Sequence, residues 1–396
     1  MVLALVSLLF ALPCQTAPAS PDPKPQEPSL FDVVVAARSK RLAEEKTALE
    51  KSIAAIDAFG HAAEFVAAVE KLARAEYANE EGVQLIALKD GTATGRTLLN
   101  FTTWQKPLPD RRAGSTGVPA AIDLAVENHP FAAIVDTEKQ LRERSIDLLV
   151  VVVPGRIEVY PELVPGFDVP IAEGAGFVGI GAETQRFLLA LNATGVETLD
   201  LQAAFAAERF GKKGDGAPDR DDQLFLRSDP HWTPRGAELA ARLVAARLAE
   251  IPWFRARGPL KEGTDFELCD RAVVTEPSEK MVAAGAKPES LAAHVLRHGE
   301  RPFDAVDEKS ALLVMGDSYV RFYDGDGCDF CSELARFTGR KIDRISTPAG
   351  AQQACRDAAR RRPAKTWDGK RLVIWLLPTT NFAVRKNWAP MRIVPE

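Results

Sequence analysis

The sequence predicts an α/β protein whose central parallel sheet lies between two layers of helices, preceded by an N-terminal helical region. Three segments that are apolar throughout, apart from the charged first residue of two of them, predict the sheet: Asp147–Val153, Ala311–Met315 and Arg371–Leu377. Strands buried on both faces have such runs, and burial on both faces is typical of parallel sheets. Segments with helical spacing separate the runs, and this alternation indicates a three-layer arrangement.

Composition narrows the class of protein. Of the 396 residues, 46% are apolar and 27% are charged, which are ordinary proportions for a globular protein. The formal net charge of −5 argues against a nucleic-acid partner.

The N-terminus has the pattern of an export signal. Val2–Leu12 is an apolar run, too short for the roughly 20 residues that span a bilayer, and Ala17-Pro18-Ala19 supplies small residues for cleavage. We therefore predict a signal peptide over 1–19, a proline-rich linker over 20–29, and a periplasmic or secreted protein with membrane association left open. A buried first helix and a lipid-modified Cys14 are the alternatives.

Residues 30–132 are predicted to form a helical and irregular N-terminal region. Apolar residues recur at three- and four-residue spacing up to about residue 88, with charged residues between them. This pattern is typical of packing helices, and no chemistry is assigned to it.

Residues 133–396 are predicted to form the α/β domain. Besides the three apolar runs, weaker strands are expected at 196–200 and 342–345. Helices are expected at 182–193, 201–210, 233–249 and 349–361. Pro234 suits the first turn of the third of these helices.

Four cysteines follow the predicted signal peptide: Cys269, Cys328, Cys331 and Cys355. An even number in an exported chain permits two disulfides, with three possible pairings. The spacing Cys328-x-x-Cys331 also matches a redox pair or half of a zinc site, but no further His or Cys stands nearby at metal spacing. We expect neither a metal nor a cofactor.

Gly316-Asp317-Ser318 directly follows the predicted strand 311–315. The carboxyl ends of parallel strands are where α/β proteins hold their chemistry. A helix beginning at this point would direct free N–H groups towards a developing oxyanion. The segment lacks the G-x-S-x-G pattern, and an ordinary turn with a helix cap is the alternative interpretation.

Asp229-Pro230-His231-Trp232 stands just before the predicted helix at 233. On an extended loop, residues two apart point the same way, so Asp229 could orient the ring of His231. In the alternative interpretation, Asp229 or Thr233 only caps the helix and His231 packs against Trp232.

Together the two segments resemble the SGNH-type domain of the alginate O-acetyltransferase family, the AlgX/AlgJ-like proteins. In that family an Asp-x-His-Trp element precedes a Gly-Asp-Ser element, as it does here. Residues 148–165, 196–201 and 372–375 resemble further family segments, so the likeness covers roughly residues 133–380. It implies a three-layer SGNH (flavodoxin-like) fold. Pro378–Asn381 departs from the charged segment that the family often has, which leaves the substrate open.

The resemblance implies an acyl-serine mechanism. Ser318 would attack an acetyl donor, His231 would act as general base, Asp229 would orient His231, and the Ser318 N–H would stabilise the oxyanion. The acetyl group would pass to hydroxyls of an exopolysaccharide, and a membrane acetyl-transfer protein would supply it. A carbohydrate esterase or deacetylase with the same residues, and a noncatalytic polysaccharide-assembly protein, remain alternatives. The predicted substrate-binding residues are Arg156, Tyr160, Trp232, Tyr319 and Tyr323.

Overall fold

A computed structural model describes most of the chain. It covers residues 30–74, 86–89, 93–94, 129–171, 176–227, 229–254, 260–277, 279, 282, 286–348, 350–382 and 388–395. The predicted signal peptide (1–19), the predicted linker (20–29) and Cys14 lie outside these residues.

Helices and strands are numbered here in chain order. The α-helices are α1 Leu30–Phe59, α2 Ala62–Arg74, α3 Pro130–Arg142, α4 Arg156–Val159, α5 Glu183–Ala193, α6 Gln202–Ala207, α7 Pro234–Ala249, α8 Phe330–Thr338 and α9 Ala354–Arg360. The strands are β1 Ile86–Ala87, β2 Ala93–Thr94, β3 Asp147–Val153, β4 Glu197–Asp200, β5 Phe210–Lys212, β6 Pro218–Gln223, β7 Glu267–Thr275, β8 Glu289–His298, β9 Arg301–Pro302, β10 Leu312–Gly316, β11 Asp343–Ser346 and β12 Leu372–Pro378. Single 3₁₀ turns occur at Pro161–Leu163, Ser318–Val320, Ala364–Trp367 and Thr379–Asn381.

The central sheet has five parallel strands in the order β11-β10-β12-β3-β4. The three predicted apolar runs form its three inner strands, and every residue of β12 is buried. The predicted α/β class, with a parallel sheet and an N-terminal helical region, is confirmed. Because all five strands run the same way, their carboxyl ends share one edge of the sheet.

Each inner strand contributes to two cores. In β3, Leu149 and Val151 pack on the side of α7 and α8, whereas Leu148 and Val150 pack on the side of α3, α5 and α9. Successive side chains of a strand point to opposite faces, so a strand covered on both faces needs apolar residues at every position. This requirement explains the unbroken runs in the sequence.

Helix α1 lies against α5 and β4. Arg41 of α1 is buried and binds both carboxylate oxygens of Glu197 at 2.7 Å, which fixes the helix at the start of β4. Within the described residues, no single helix is both long and apolar enough to cross a membrane. Only Val34–Phe59 taken together with Ala62–Val69 reaches that length and composition, with a bend of 75° between them.

A three-stranded antiparallel sheet, β7-β8-β9, was not predicted from the sequence. Strand β7 pairs with β8 from Glu267 opposite Arg297 to Thr275 opposite Glu289. The inner face of this sheet is small (Val273, Ala293 and Val295 are buried), and much of its outer face is exposed.

Two helices are shorter than predicted. The helix expected at 201–210 ends at Ala207, and the helix expected at 349–361 is shortened to α9.

All four described cysteines are free thiols, so neither of the permitted disulfides is formed. Cys328, Cys331 and Cys355 are buried. Burial raises the pKa of the Cys355 thiol to about 12, so it stays protonated and unreactive at neutral pH.

Gly316, at the end of β10, is predicted to be intolerant of a side chain. A Cβ there would lie 2.9 Å from the Leu376 carbonyl oxygen and 2.7 Å from Val320 Cγ2. Because the carbonyl belongs to a neighbouring strand and cannot withdraw, Gly316→Ala should lower the free energy of unfolding by about 1–3 kcal/mol in urea titration. Gly214→Ala, where a Cβ meets nothing within 4 Å, is the control. Equal stability of the two variants would contradict this account.

Candidate active site

Ser318 opens the 3₁₀ turn Ser318–Val320 directly after β10. Asp317 caps this turn, because its Oδ1 accepts the N–H of Tyr319 at 3.1 Å. The first N–H of a helical turn has no acceptor within the turn, so the N–H of Ser318 remains available for another acceptor. The side chain of Ser318 is partly exposed at the carboxyl edge of the sheet.

The histidine loop, residues 226–232, connects β6 with α7; its Ser228 lies outside the described residues. The N–H of Leu226 donates to the carbonyl of His231 at 2.9 Å, and the N–H of Thr233 donates to that of Leu224 at 2.9 Å, so the loop closes as a narrow hairpin. Thr233 then caps α7 by accepting the N–H of Gly236. The cap is therefore made by Thr233, and the Asp229 side chain has a different partner.

The partner of the Asp229 side chain is His231. Asp229 Oδ1 contacts His231 Nδ1 and also accepts the His231 N–H at 2.9 Å. On the other side of the ring, His231 Nε2 lies 2.7 Å from Ser318 Oγ, across 87 residues of sequence. A carboxylate at Nδ1 favours the proton on that nitrogen and leaves Nε2 free to accept the serine hydroxyl proton. This is the arrangement that activates a serine nucleophile.

Phe322, which the sequence did not single out, stacks on the imidazole. The two ring centroids are 4.1 Å apart and their planes differ by 10°. Phe322 is carried by the turn that follows Ser318, where its N–H donates to the Ser318 carbonyl at 2.8 Å. The serine turn therefore supplies one wall of the histidine's pocket.

The two predicted substrate tyrosines point inward. The Tyr319 hydroxyl donates to the Pro230 carbonyl, and the Tyr323 hydroxyl donates to the Trp232 carbonyl at 3.1 Å. Both rings are buried, which raises both phenol pKa values and keeps these hydroxyls protonated donors. The two tyrosines connect the serine turn to the histidine loop through these hydroxyls, and the role of lining a sugar site stays a prediction.

The other three predicted substrate residues are also buried. The Tyr160 hydroxyl donates to the Arg209 carbonyl and accepts the Leu224 N–H, and its ring is fully covered. Trp232 stacks on Phe330 in the core, with 5.8 Å between the two ring centroids. Arg156, only 4% exposed, donates from Nη1 to the Arg227 carbonyl at 2.8 Å. Arg156 and Tyr160 thus hold the histidine loop and its flank, and Trp232 is the last residue of that loop. That these three residues line the crevice stays a prediction.

Two buried carboxyl groups lie beneath the site and hold the turn Thr379–Asn381. The Thr379 hydroxyl donates to Glu158 Oε2 at 2.8 Å, and the N–H of Gly155 donates to the same oxygen. The amide of Asn381 donates to Asp317 Oδ2 at 3.1 Å. Burial raises the pKa of Glu158 to about 7 and also raises that of Asp317. The segment that departed from the family pattern thus supports the serine turn.

The described residues contain no group of three or more His, Cys, Asp or Glu side chains arranged to hold a metal ion. The Cys328-x-x-Cys331 pair lies at the start of α8, and both thiols are buried.

Residues 121–379, about two thirds of the chain, match the family model described as "SGNH hydrolase-like domain, acetyltransferase AlgX". The chain is 29% identical over 147 residues to the probable alginate O-acetylase AlgJ of Pseudomonas syringae pv. tomato, covering 37% of this chain and 32% of that protein. It is 29% identical over 132 residues to the protein of the same name from Pseudomonas aeruginosa, covering 33% and 29%. The chain thus spans about a third of the length of these curated relatives.

Among solved structures, the O-acetyltransferase domain of Pseudomonas putida AlgJ superposes with a TM-score of 0.49 and 16% identity. The superposition covers 76% of this chain and 93% of that one.

Glu158 is predicted to make stability depend on pH. Its pKa of about 7 in the folded protein lies above the ordinary value of 4.5, so the neutral form is favoured by folding. Its contribution to stability is full below pH 4.5 and is lost as pH rises through 7, by on the order of 3 kcal/mol. Urea titrations from pH 5 to 8 should show a smaller loss for Glu158→Gln than for the wild type.

Glu143→Gln, at an exposed position after α3, serves as the control and should follow the wild-type curve. Parallel pH dependences for the wild type and Glu158→Gln would show that the buried carboxyl does not titrate in this range.

Proposed function

The chain belongs to the family of SGNH hydrolase-like domains of the AlgX acetyltransferase type, and we propose that it is an O-acetyltransferase working through an acyl-serine intermediate. The observation that carries the proposal is the continuous contact from Asp229 to His231 and from His231 Nε2 to Ser318 Oγ at 2.7 Å. Nucleophile, base and orienting carboxylate stand in the order that acyl transfer requires.

In the first half-reaction, Ser318 Oγ bonds to the acetyl carbonyl carbon while its proton passes to His231 Nε2. Negative charge then develops on the carbonyl oxygen, and the N–H of Ser318 would donate to it. The donor's leaving group departs with the proton held at His231 Nε2. Asp229 keeps the ring oriented and stabilises its charged form during the step.

In the second half-reaction, an acceptor hydroxyl loses its proton to His231 Nε2 and attacks the acetyl-serine carbon. The Ser318 Oγ–acetyl bond breaks, and the proton returns from the imidazole to Oγ. The product is an acetyl ester of the acceptor, and the enzyme is restored. No cofactor is required by this sequence of steps.

We further propose that the acceptor is a polysaccharide hydroxyl. Two relatives that carry the name "probable alginate O-acetylase AlgJ" support this class of acceptor. The predicted export signal supports a periplasmic or secreted location, where a membrane acetyl-transfer protein would have to supply the acetyl group.

Hydrolysis is the competing outcome. The side chains of His231 and Asp229 are 14% and 30% exposed, so solvent reaches the crevice from one side. If water replaces the sugar hydroxyl in the second half-reaction, the same residues act as an esterase.

Incubation with para-nitrophenyl acetate should place one acetyl group on Ser318, detected by mass spectrometry of the digested protein. Ser318→Ala should abolish this label, and His231→Ala should slow its formation by roughly 10²–10⁴-fold, since it removes the general base. Ser39→Ala, at an exposed position on α1, is the control and should label normally. An unlabelled but folded wild type, or equal labelling of Ser318→Ala, would reject the acyl-serine proposal.

Transfer and hydrolysis are separated by their products. With an alginate oligosaccharide present, we expect acetylated sugar to accumulate at the expense of free acetate, and no product from Ser318→Ala. Free acetate alone, unaffected by oligosaccharide, would identify an esterase. If Ser318→Ala retained full function in cells, the noncatalytic alternative would be favoured.

A further inference from the structure

The two peptide groups that flank Arg227 are held by charged side chains. The N–H of Arg227 donates to both carboxylate oxygens of Glu289, at 2.9 and 3.1 Å. The carbonyl of Arg227 accepts from Arg156 Nη1 at 2.8 Å. Hydrogen bonds to ionised groups are stronger and more directional than neutral ones. Arg227 is therefore fixed on both sides of its backbone.

Arg227 enters the histidine loop two residues before Asp229. The far end of that loop is already fixed, because the Pro230 carbonyl accepts from Tyr319 and the His231 carbonyl accepts from Leu226. At the near end, the same bond fixes Leu226, and Glu289 and Arg156 hold the Arg227 peptide groups that follow it. Asp229 follows Arg227 by two residues, and a misplacement of about 1 Å in catalytic geometry can cost roughly 10²-fold in rate.

Glu289 is the first residue of β8, in the antiparallel sheet appended to the parallel one. Strand β8 also contacts the segment that follows the serine turn, because the N–H of Leu296 donates to the Gly327 carbonyl at 2.8 Å. Gly327 has φ +78°, and a Cβ there would lie 2.3 Å from the Leu296 carbonyl oxygen, so the strand passes directly over it. Gly327 in turn bonds to the Tyr323 carbonyl, and Tyr323 contacts the histidine loop. Strand β8 thus contacts both the histidine loop and the segment that follows the serine turn.

We propose that Glu289 is a positioning residue that, opposite Arg156, fixes Asp229 and His231 against Ser318, so that the appended sheet is part of the catalytic apparatus. This inference rests on the proposed function. Neither residue would touch the substrate, and both would act through the Arg227 backbone.

The test compares Glu289→Ala and Glu289→Gln with Glu267→Ala, an exposed glutamate at the other end of the same sheet. For para-nitrophenyl acetate, Glu289→Ala should lower kcat by roughly 10–100-fold with KM within about twofold, because chemistry and not binding is impaired. Glu289→Gln, which keeps the shape and one acceptor, should retain more activity. Glu267→Ala should match the wild type. Unchanged kcat in folded Glu289→Ala would overturn the proposal.

A double-variant cycle distinguishes positioning from general stabilisation. In the Asp229→Asn background, Glu289→Ala should cause less than a threefold further loss, because the residue through which it acts is already impaired. An equal loss of kcat in both backgrounds would show that Glu289 acts elsewhere, and would overturn the proposal.

A readout without turnover keeps this inference separate from the proposed function. The chain has five histidines, so ¹⁵N-histidine labelling allows the ring signals of His231 to be assigned by loss in His231→Ala. We expect those signals to shift or broaden in Glu289→Ala and to stay unchanged in Glu267→Ala. If the wild type forms no acetyl-serine, the proposed function fails and this spectrum still decides the role of Glu289. Identical His231 signals in the wild type, Glu289→Ala and Glu267→Ala would reject the positioning role of Glu289.

Discussion

The 2.7 Å contact between His231 Nε2 and Ser318 Oγ is the interaction on which the rest of the site depends. Two loops far apart in sequence must be held within a few tenths of an ångström for this contact to exist. The protein achieves this with backbone carbonyls of the histidine loop as anchor points, two of which accept hydroxyls from the serine side. A buried carbonyl deprived of its donor costs about 1–3 kcal/mol, so each tether resists separation of the loops.

Two acidic groups are buried at the carboxyl edge of the sheet, and their burial lowers the stability of the fold at neutral pH. Glu158 and Asp317 lie under the serine turn with raised pKa values, and burial is the largest cause for both. Both accept hydrogen bonds from the turn Thr379–Asn381, which offset part of the desolvation. Carboxyl groups whose ionisation is disfavoured by folding weaken the fold at neutral pH. Carboxyl groups perturbed in this way cluster at functional sites.

The parallel sheet could be predicted because its physical requirement is local. A strand covered on both faces needs consecutive apolar residues, so β3 was predicted to the residue and β10 and β12 within one residue. The antiparallel sheet β7-β8-β9 has only a narrow buried face, and its alternation of apolar and polar residues is too weak to identify it. Its contact with the site, from Glu289 to Arg227, spans 62 residues and leaves no local pattern.

The juxtaposition of Ser318, His231 and Asp229 was predictable, whereas the roles of the surrounding aromatic residues were not. A tyrosine near a nucleophile has an apolar ring and a hydroxyl, and sequence does not say whether that hydroxyl meets a sugar or a carbonyl. The hydroxyls of Tyr319 and Tyr323 donate to backbone carbonyls, so these polar ends are already engaged by the protein. In the proposed reaction, Ser318, His231 and Asp229 would therefore be in position before any substrate binds. Such preorganisation would avoid reorganisation during the reaction, and the occupant of the exposed side of the crevice would decide between sugar and water as acceptor.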